Sequence, residues 1–174
     1  MATSTAVPVE EYLSTTYHPD MEYVDGQLLE RHVGEHYHSL TQNIVGAELR
    51  ERGRDRGFRA FTEQRVRVSN EPKYRVPDLC VKALPYKVAA VLDHVDLAIE
   101  IVSPDDEPGD LLDKIEEYIG AGIPYVWVVD PYKRTLRELV DRVIRRATGT
   151  VLATPLVGEI DFAPIFEELY APTE

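Results

Sequence analysis

At 174 residues, with 44% hydrophobic and 29% charged content, the chain is most economically one domain, 1–174, large enough to bury a core without staples. A single cysteine, Cys80, excludes an intramolecular disulfide and fits a reducing compartment, and no apolar run nears the roughly 18 residues of a membrane span. The net charge of −12 weighs against a protein that coats nucleic acid with an overall basic surface.

Met1 to Glu10 has neither the basic start nor the apolar core of a secretory signal, so a cytoplasmic location without membrane contact is expected. Val9 to Thr16 reads as a short helix, with Pro8 suited to its first turn. Met21-Glu22-Tyr23-Val24 and Gln27-Leu28-Leu29-Glu30 then flank Asp25-Gly26, a two-residue hairpin signal. From Glu35 to Arg52 the period becomes helical, with Leu40, Ile44 and Ala47 on one stripe and an end near Gly53.

Phe58 to Val68 alternates, Val66 and Val68 against Arg65 and Arg67, as a half-exposed strand does. After a turn at Asn70-Glu71-Pro72, Arg75 to Lys82 and Val95 to Val102 are the next strands. Gly109 to Ile119 is an amphipathic helix whose stripe is Leu111, Leu112, Ile115, Tyr118 and Ile119, stopped by Gly120 and Gly122. Pro124 to Val129 is a continuous apolar run, expected of a strand covered on both faces. Thr135 to Arg146 forms one strand, or two around Asp141, and a short helix near Pro164 to Leu169 closes the chain. The sum is one layered α/β domain.

Charge is unevenly spread. Nine of the 19 Lys/Arg fall between Arg50 and Arg75, and six more between Lys133 and Arg146. Between Val88 and Tyr132 Lys114 is the only basic side chain, set among eleven carboxylates. The basic blocks are either solvated faces or a surface for phosphates, with Arg65 and Arg67 the candidates to steer a backbone.

Because alternate strand residues share a face, Glu100 stands between Ala98 and Val102 on an otherwise apolar stretch, and Asp78 between Val76 and Cys80. A buried carboxylate must pair, bind a metal or take up a proton. If the two strands are neighbours, Asp78 and Glu100 offer hard oxygens suited to Mg²⁺ or Mn²⁺. Lys114, at the margin of its helix stripe, either reaches these carboxylates or forms an i, i+4 surface pair with Asp110. His32 and His36 lack the partners of a zinc site. His38, with Glu35 three residues before it, is a site candidate or a solvated helix start. Trp127 and Tyr118 read as core, and Cys80 as packing.

The segments Glu22 to Gly26, Gly34-Glu35 with His38-Ser39, Thr62 to Arg65, Arg75-Val76-Pro77-Asp78, Glu100 to Pro104, Lys114, Tyr118, Gly122 and Tyr125 to Pro131 together resemble the Uma2 family, a branch of the PD-(D/E)xK nuclease superfamily. The resemblance runs from about Glu10 to Leu139. It implies a restriction-endonuclease-like fold, a mixed central sheet flanked by helices with an N-terminal helix and β-hairpin. It also implies Asp78 and Glu100 as metal ligands. The superfamily lysine follows the acidic residue by two positions, and here Val102 stands there. The resemblance therefore implies that Lys114 supplies the ammonium from the following helix, with Glu35 and His38 as auxiliary residues on the first long helix.

The expectation is a Mg²⁺- or Mn²⁺-dependent endonuclease acting on nucleic acid, DNA before RNA. Two rivals stay open. One is a nuclease-fold module that binds nucleic acid or protein without turnover. The other is a regulatory homodimer that sets its basic blocks against the acidic centre of its twin.

Overall fold

The computed structural model describes residues 6–31, 35–104 and 106–172. The chain begins with helix α1 (Val9–Ser14) and the hairpin β1 (Met21–Val24) and β2 (Gln27–Glu30). Asp25 and Gly26, at φ 50° and 84°, make the left-handed turn that this pair of residues favours. Helix α2 (His36–Arg56) leads into β3 (Phe58–Thr62), β4 (Val66–Arg67), β5 (Tyr74–Arg75) and β6 (Leu79–Ala83). Strand β7 (Leu97–Ile101), helix α3 (Pro108–Gly120) and strand β8 (Tyr125–Asp130) form a crossover unit. The hairpin β9 (Thr135–Val140) and β10 (Val143–Arg146) follows, then the hairpin β11 (Val151–Thr154) and β12 (Gly158–Asp161), then α4 (Ala163–Leu169).

Six strands build the main sheet in the order β10-β9-β8-β7-β6-β3. Only β7 and β8 run parallel, because only they are joined through a helix. One face packs Trp127, Ile99 and Leu79 against Val45 and Leu49 of α2 and Ile165 and Phe166 of α4. The other packs Ala98, Cys80, Val126 and Val128 against Ile115 and Tyr118 of α3. β7 is buried along its whole length, as a strand covered on both faces must be. The hairpin β1-β2 joins β5 and β4 in a separate four-stranded sheet, order β2-β1-β5-β4. The architecture is the expected mixed central sheet flanked by helices. Among the described residues no helix is long and apolar enough to cross a membrane.

The end of α2, two of the expected strands and the segment before α4 differ most from the sequence reading. α2 runs past Gly53 to Arg56 and ends at Gly57, whose φ of 72° suits a left-handed cap. Gly53 is there for packing instead: a Cβ would meet the Phe58 carbonyl oxygen at 2.7 Å. The expected strand Phe58 to Val68 is broken at Glu63, which sits at φ 51°, so β3 and β4 belong to different sheets. Arg75 to Lys82 divides likewise, and Asp78 lies in the break immediately before β6. The hairpin β11-β12 was not anticipated, and it contributes Leu152 and Ile160 to the core.

Candidate active site

The antiparallel register of β6 and β7 ends on the pair Leu79 and Ile99. Asp78 immediately precedes Leu79 and Glu100 immediately follows Ile99, so both carboxylates lie at the same end of this strand pair. Both are 4% exposed. Oδ2 of Asp78 accepts from the Ile101 amide at 2.7 Å, which carries the pairing on through a side chain. The same oxygen lies 3.3 Å from Nε2 of His38 on α2, and Oδ1 accepts from Nη2 of Arg31 at 2.7 Å. Oε1 of Glu100 accepts from the Tyr118 hydroxyl at 2.5 Å, and Oε2 faces Nζ of Lys114 at 3.6 Å.

Lys114 takes the inward alternative, with no pair to Asp110. The apolar stripe of α3 lies on β7 and β8, so a lysine at the stripe margin extends its stem over the sheet and delivers its ammonium to the strand carboxylates. Its shorter contact is with a residue of the first hairpin, Glu22 Oε1, at 3.1 Å. Glu22 is itself buried and accepts from Arg75 Nη1 at 2.8 Å and from the Val76 amide at 3.0 Å.

These contacts set the charge states. Burial drives the Glu100 carboxyl up to about 7; Asp78 adds repulsion, and Lys114 opposes both. Burial also acts on Asp78, but the His38 hydrogen bond and the charges of His38 and Arg31 outweigh it and hold that carboxyl below its usual range. Glu22 is held low in the same way, burial being overcome by Lys114 and Arg75. Burial opposes the charge on Lys114, yet Glu100, Glu22 and Asp78 raise it well above an ordinary lysine. For His38, burial is outweighed by Asp78 and the imidazole is raised.

The cluster opens into a cleft of about 500 Å³ between the first hairpin and α3. Ten carboxylates line it, against Arg31, Lys73, Arg75, Lys114 and His38. Among the described residues, no three His, Cys, Asp or Glu side chains are grouped as a ready metal cage. The donor set nevertheless fits one small, hard divalent ion. Asp78 and Glu100 bring carboxylate oxygens from adjacent positions, and the elevated Glu100 carboxyl marks a site short of positive charge. Mg²⁺ commonly keeps several waters and takes one or two carboxylates plus substrate oxygens.

A match to the Uma2 family, described as "Putative restriction endonuclease", spans residues 9–152. The chain belongs to the Uma2 family. A solved structure of "a putative nuclease" from Anabaena variabilis shares the fold, with a TM-score of 0.81 over 94% of this chain and 99% of that one, at 21% identity. No curated protein matches the chain.

Within this Uma2 chain, Asp78, Glu100, Lys114 and His38 converge, while Glu35 does not line the cleft. Glu35 precedes α2 and accepts a long hydrogen bond from the Tyr132 hydroxyl at 3.4 Å. The Arg50–Arg75 block is divided: Arg50, Arg54, Arg56 and Arg59 are exposed away from the cleft, while the two expected to steer a backbone are engaged by the fold. Arg65 lies 4.5 Å over the Tyr12 ring and binds the carbonyls of Tyr12 and Thr15, and Arg67 sits over Tyr74. Only Lys73 and Arg75 of that block reach the cleft. His32, Val33, Gly34 and Asp105 lie outside the described residues. Sequence reasoning did not single out Glu22, Arg31 or Tyr118 as site residues. Glu22 carried a signal, since its alternation with the buried Tyr23 puts a carboxylate inside a strand. Arg31 carried none.

Proposed function

We propose that this chain is a single-domain, divalent-metal-dependent endonuclease that hydrolyses nucleic-acid phosphodiesters, DNA before RNA, in the cytoplasm. The observation that supports it most is the meeting of Asp78, Glu100 and Lys114 at the floor of one cleft in a Uma2 fold. Asp78 and Glu100 would hold Mg²⁺ or Mn²⁺. A bound ion of that kind polarises a phosphoryl oxygen and lowers the pKa of its water.

Lys114, kept charged by Glu100 and Glu22, is a fixed cation and not a proton acceptor. Its place beside Glu100 suits it to stabilise negative charge that develops on the phosphate. Tyr118 turns Oε1 of Glu100 into the core and leaves Oε2 toward the lysine. The excess of carboxylates around the cleft repels a polyanion, so nucleic-acid binding here should need the divalent ion as well as low salt.

Plasmid cleavage in Mg²⁺ or Mn²⁺ tests the reading with the parent, Asp78→Asn, Glu100→Gln and Lys114→Met. Cleavage by the parent, abolished by EDTA and by either carboxylate substitution and slowed to a measurable residual rate in Lys114→Met, is the expected result. Equal activity in all four proteins rejects the site.

A second reading, a nucleic-acid-binding or regulatory homodimer without turnover, draws on Val102 in place of the superfamily lysine and on Arg31 capping Asp78. Binding without cleavage and unaffected by EDTA would favour it.

A further inference from the structure

In the superfamily pattern the lysine shares a strand with the acidic ligand, so the backbone aims both. Lys114 comes from a different element, on a four-carbon stem with several rotors, and needs another device to aim it. The contacts of α3 supply one. Glu117, three residues after Lys114, binds Arg75 through both oxygens, to Nε at 2.6 Å and Nη2 at 3.1 Å. Arg75 Nη1 binds Glu22 Oε2 at 2.8 Å, and Glu22 Oε1 lies 3.1 Å from Lys114 Nζ. The path therefore leaves α3 at Glu117 and returns to it at Lys114, closing a ring of ion pairs. Glu22 is 3% exposed and pinned by the Val76 amide, so it has little freedom to follow a moving lysine.

We infer that Glu22 is a positioning residue that aims the Lys114 ammonium at Glu100 and the reacting phosphate. The inference rests on the nuclease reading for its kinetic consequence. The assignment gives the ion to Asp78 and Glu100, while Glu22 is engaged by Arg75, the Val76 amide and Lys114. Its loss should therefore impair the lysine while sparing the ion.

Glu22→Gln keeps the shape and an acceptor for the Val76 amide. It should lower kcat by ~10-fold or more, as loss of an orienting partner does, with Mn²⁺ affinity measured by calorimetry nearly unchanged. Added to Lys114→Met, it should lower kcat no further, since it acts through the lysine. An equal loss in the parent and Lys114→Met backgrounds, or a collapse of Mn²⁺ affinity, overturns the inference. Should Glu22→Gln fail to fold because Arg75 has lost one of its two carboxylate partners, Glu22→Gln/Arg75→Met takes its place in both backgrounds, with Lys73 left to pair Glu117. A readout independent of turnover is the ¹H–¹⁵N signal of the Lys114 ammonium, visible only while the group is held. It should be present in the parent and lost in the Glu22 variant; its persistence there overturns the aiming role even if the parent proves inactive. Absence of cleavage by the parent, with the signal lost on substitution, rejects the nuclease reading and leaves Glu22 as the anchor.

Discussion

The hydroxyl of Tyr118 donates to Glu100 Oε1 across 2.5 Å, with both side chains inside the layer between α3 and β7. A tyrosine on an apolar stripe thus does two things: its ring fills the core, and its one polar atom satisfies half of a buried carboxylate. Tyr118→Phe keeps the ring and removes only that donor. Hydrogen bonds to charged groups contribute roughly 1.5–3 kcal/mol, so urea unfolding at pH 8 should show a loss of that order. At pH 5, where Glu100 holds its proton, the loss should be smaller. An unchanged midpoint at both pH values would mean that the hydroxyl contributes nothing to stability.

The elevated Glu100 carboxyl gives the metal-free protein a pH dependence of stated sign. Between the ordinary 4.5 and about 7, the folded chain holds a proton that the unfolded chain has released. Stability therefore falls as pH rises through that window, by an amount on the order of 3 kcal/mol for this group alone. Glu100→Gln should flatten the slope between pH 5 and 7 and leave acid denaturation in place. That acid limb belongs to Asp78 and Glu22, whose depressed carboxyls stabilise the fold above their unfolded values and lose that contribution as pH falls through the folded ones. His38 adds a loss at higher pH, as its raised imidazole gives up its proton, and it persists in the Glu100 variant. Thermal melts from about pH 2 to about pH 9 separate the three.

What the sequence made legible followed from period. Alternation placed Asp78 and Glu100 on apolar faces, and the helical stripe put Lys114 at its margin, so two strands and a helix pointed to one place. The hairpin at Asp25-Gly26 and the buried run Pro124 to Val129 were equally plain. Breaks within strands were not. Glu63 leaves the strand through a backbone conformation that its residue type does not announce, and it sends β3 and β4 to different sheets. Arg31 and Glu22 reach the site from the first hairpin, 47 residues before Asp78 in one case and 53 before Arg75 in the other. Distances of that kind are set by tertiary packing, and a single sequence carries no local mark of them. The hairpin β11-β12 does carry a local mark, alternation on either side of Pro155 and Gly158.

Gly53 shows how a local signal misleads. Read as a helix stop, it is a position inside α2 where the helix passes close to the turn into β3. Gly53→Ala would gain about 1 kcal/mol in helix propensity. A methyl group 2.7 Å from the Phe58 carbonyl oxygen, and 3.1 Å from two of its ring carbons, forces backbone apart instead. Overpacking of that kind costs typically 1–3 kcal/mol. A net loss is expected, read as a lower urea midpoint, whereas a glycine serving only as a stop would give a more stable alanine variant.

Arg31 and a divalent ion make rival claims on Asp78. The guanidinium binds Oδ1 at 2.7 Å with only 12% of its side chain exposed, and Glu63 holds its other end at 3.5 Å. Burial opposes its charge, but Asp78, Glu100 and Glu63 keep it fully cationic, so it neutralises the site that an ion would otherwise neutralise. Two cations on one carboxylate repel each other, and ion binding must displace or weaken the pair. Arg31→Met removes the competitor and leaves Asp78 with His38 and the Ile101 amide. The expected result is tighter Mn²⁺ binding by several-fold in calorimetry at pH 7.5, together with lower stability in EDTA because a buried carboxylate has lost its charge partner. If Arg31 instead holds Asp78 in the orientation that the ion requires, the same substitution weakens Mn²⁺ binding. The sign of that one change decides whether the arginine guards the site or assembles it.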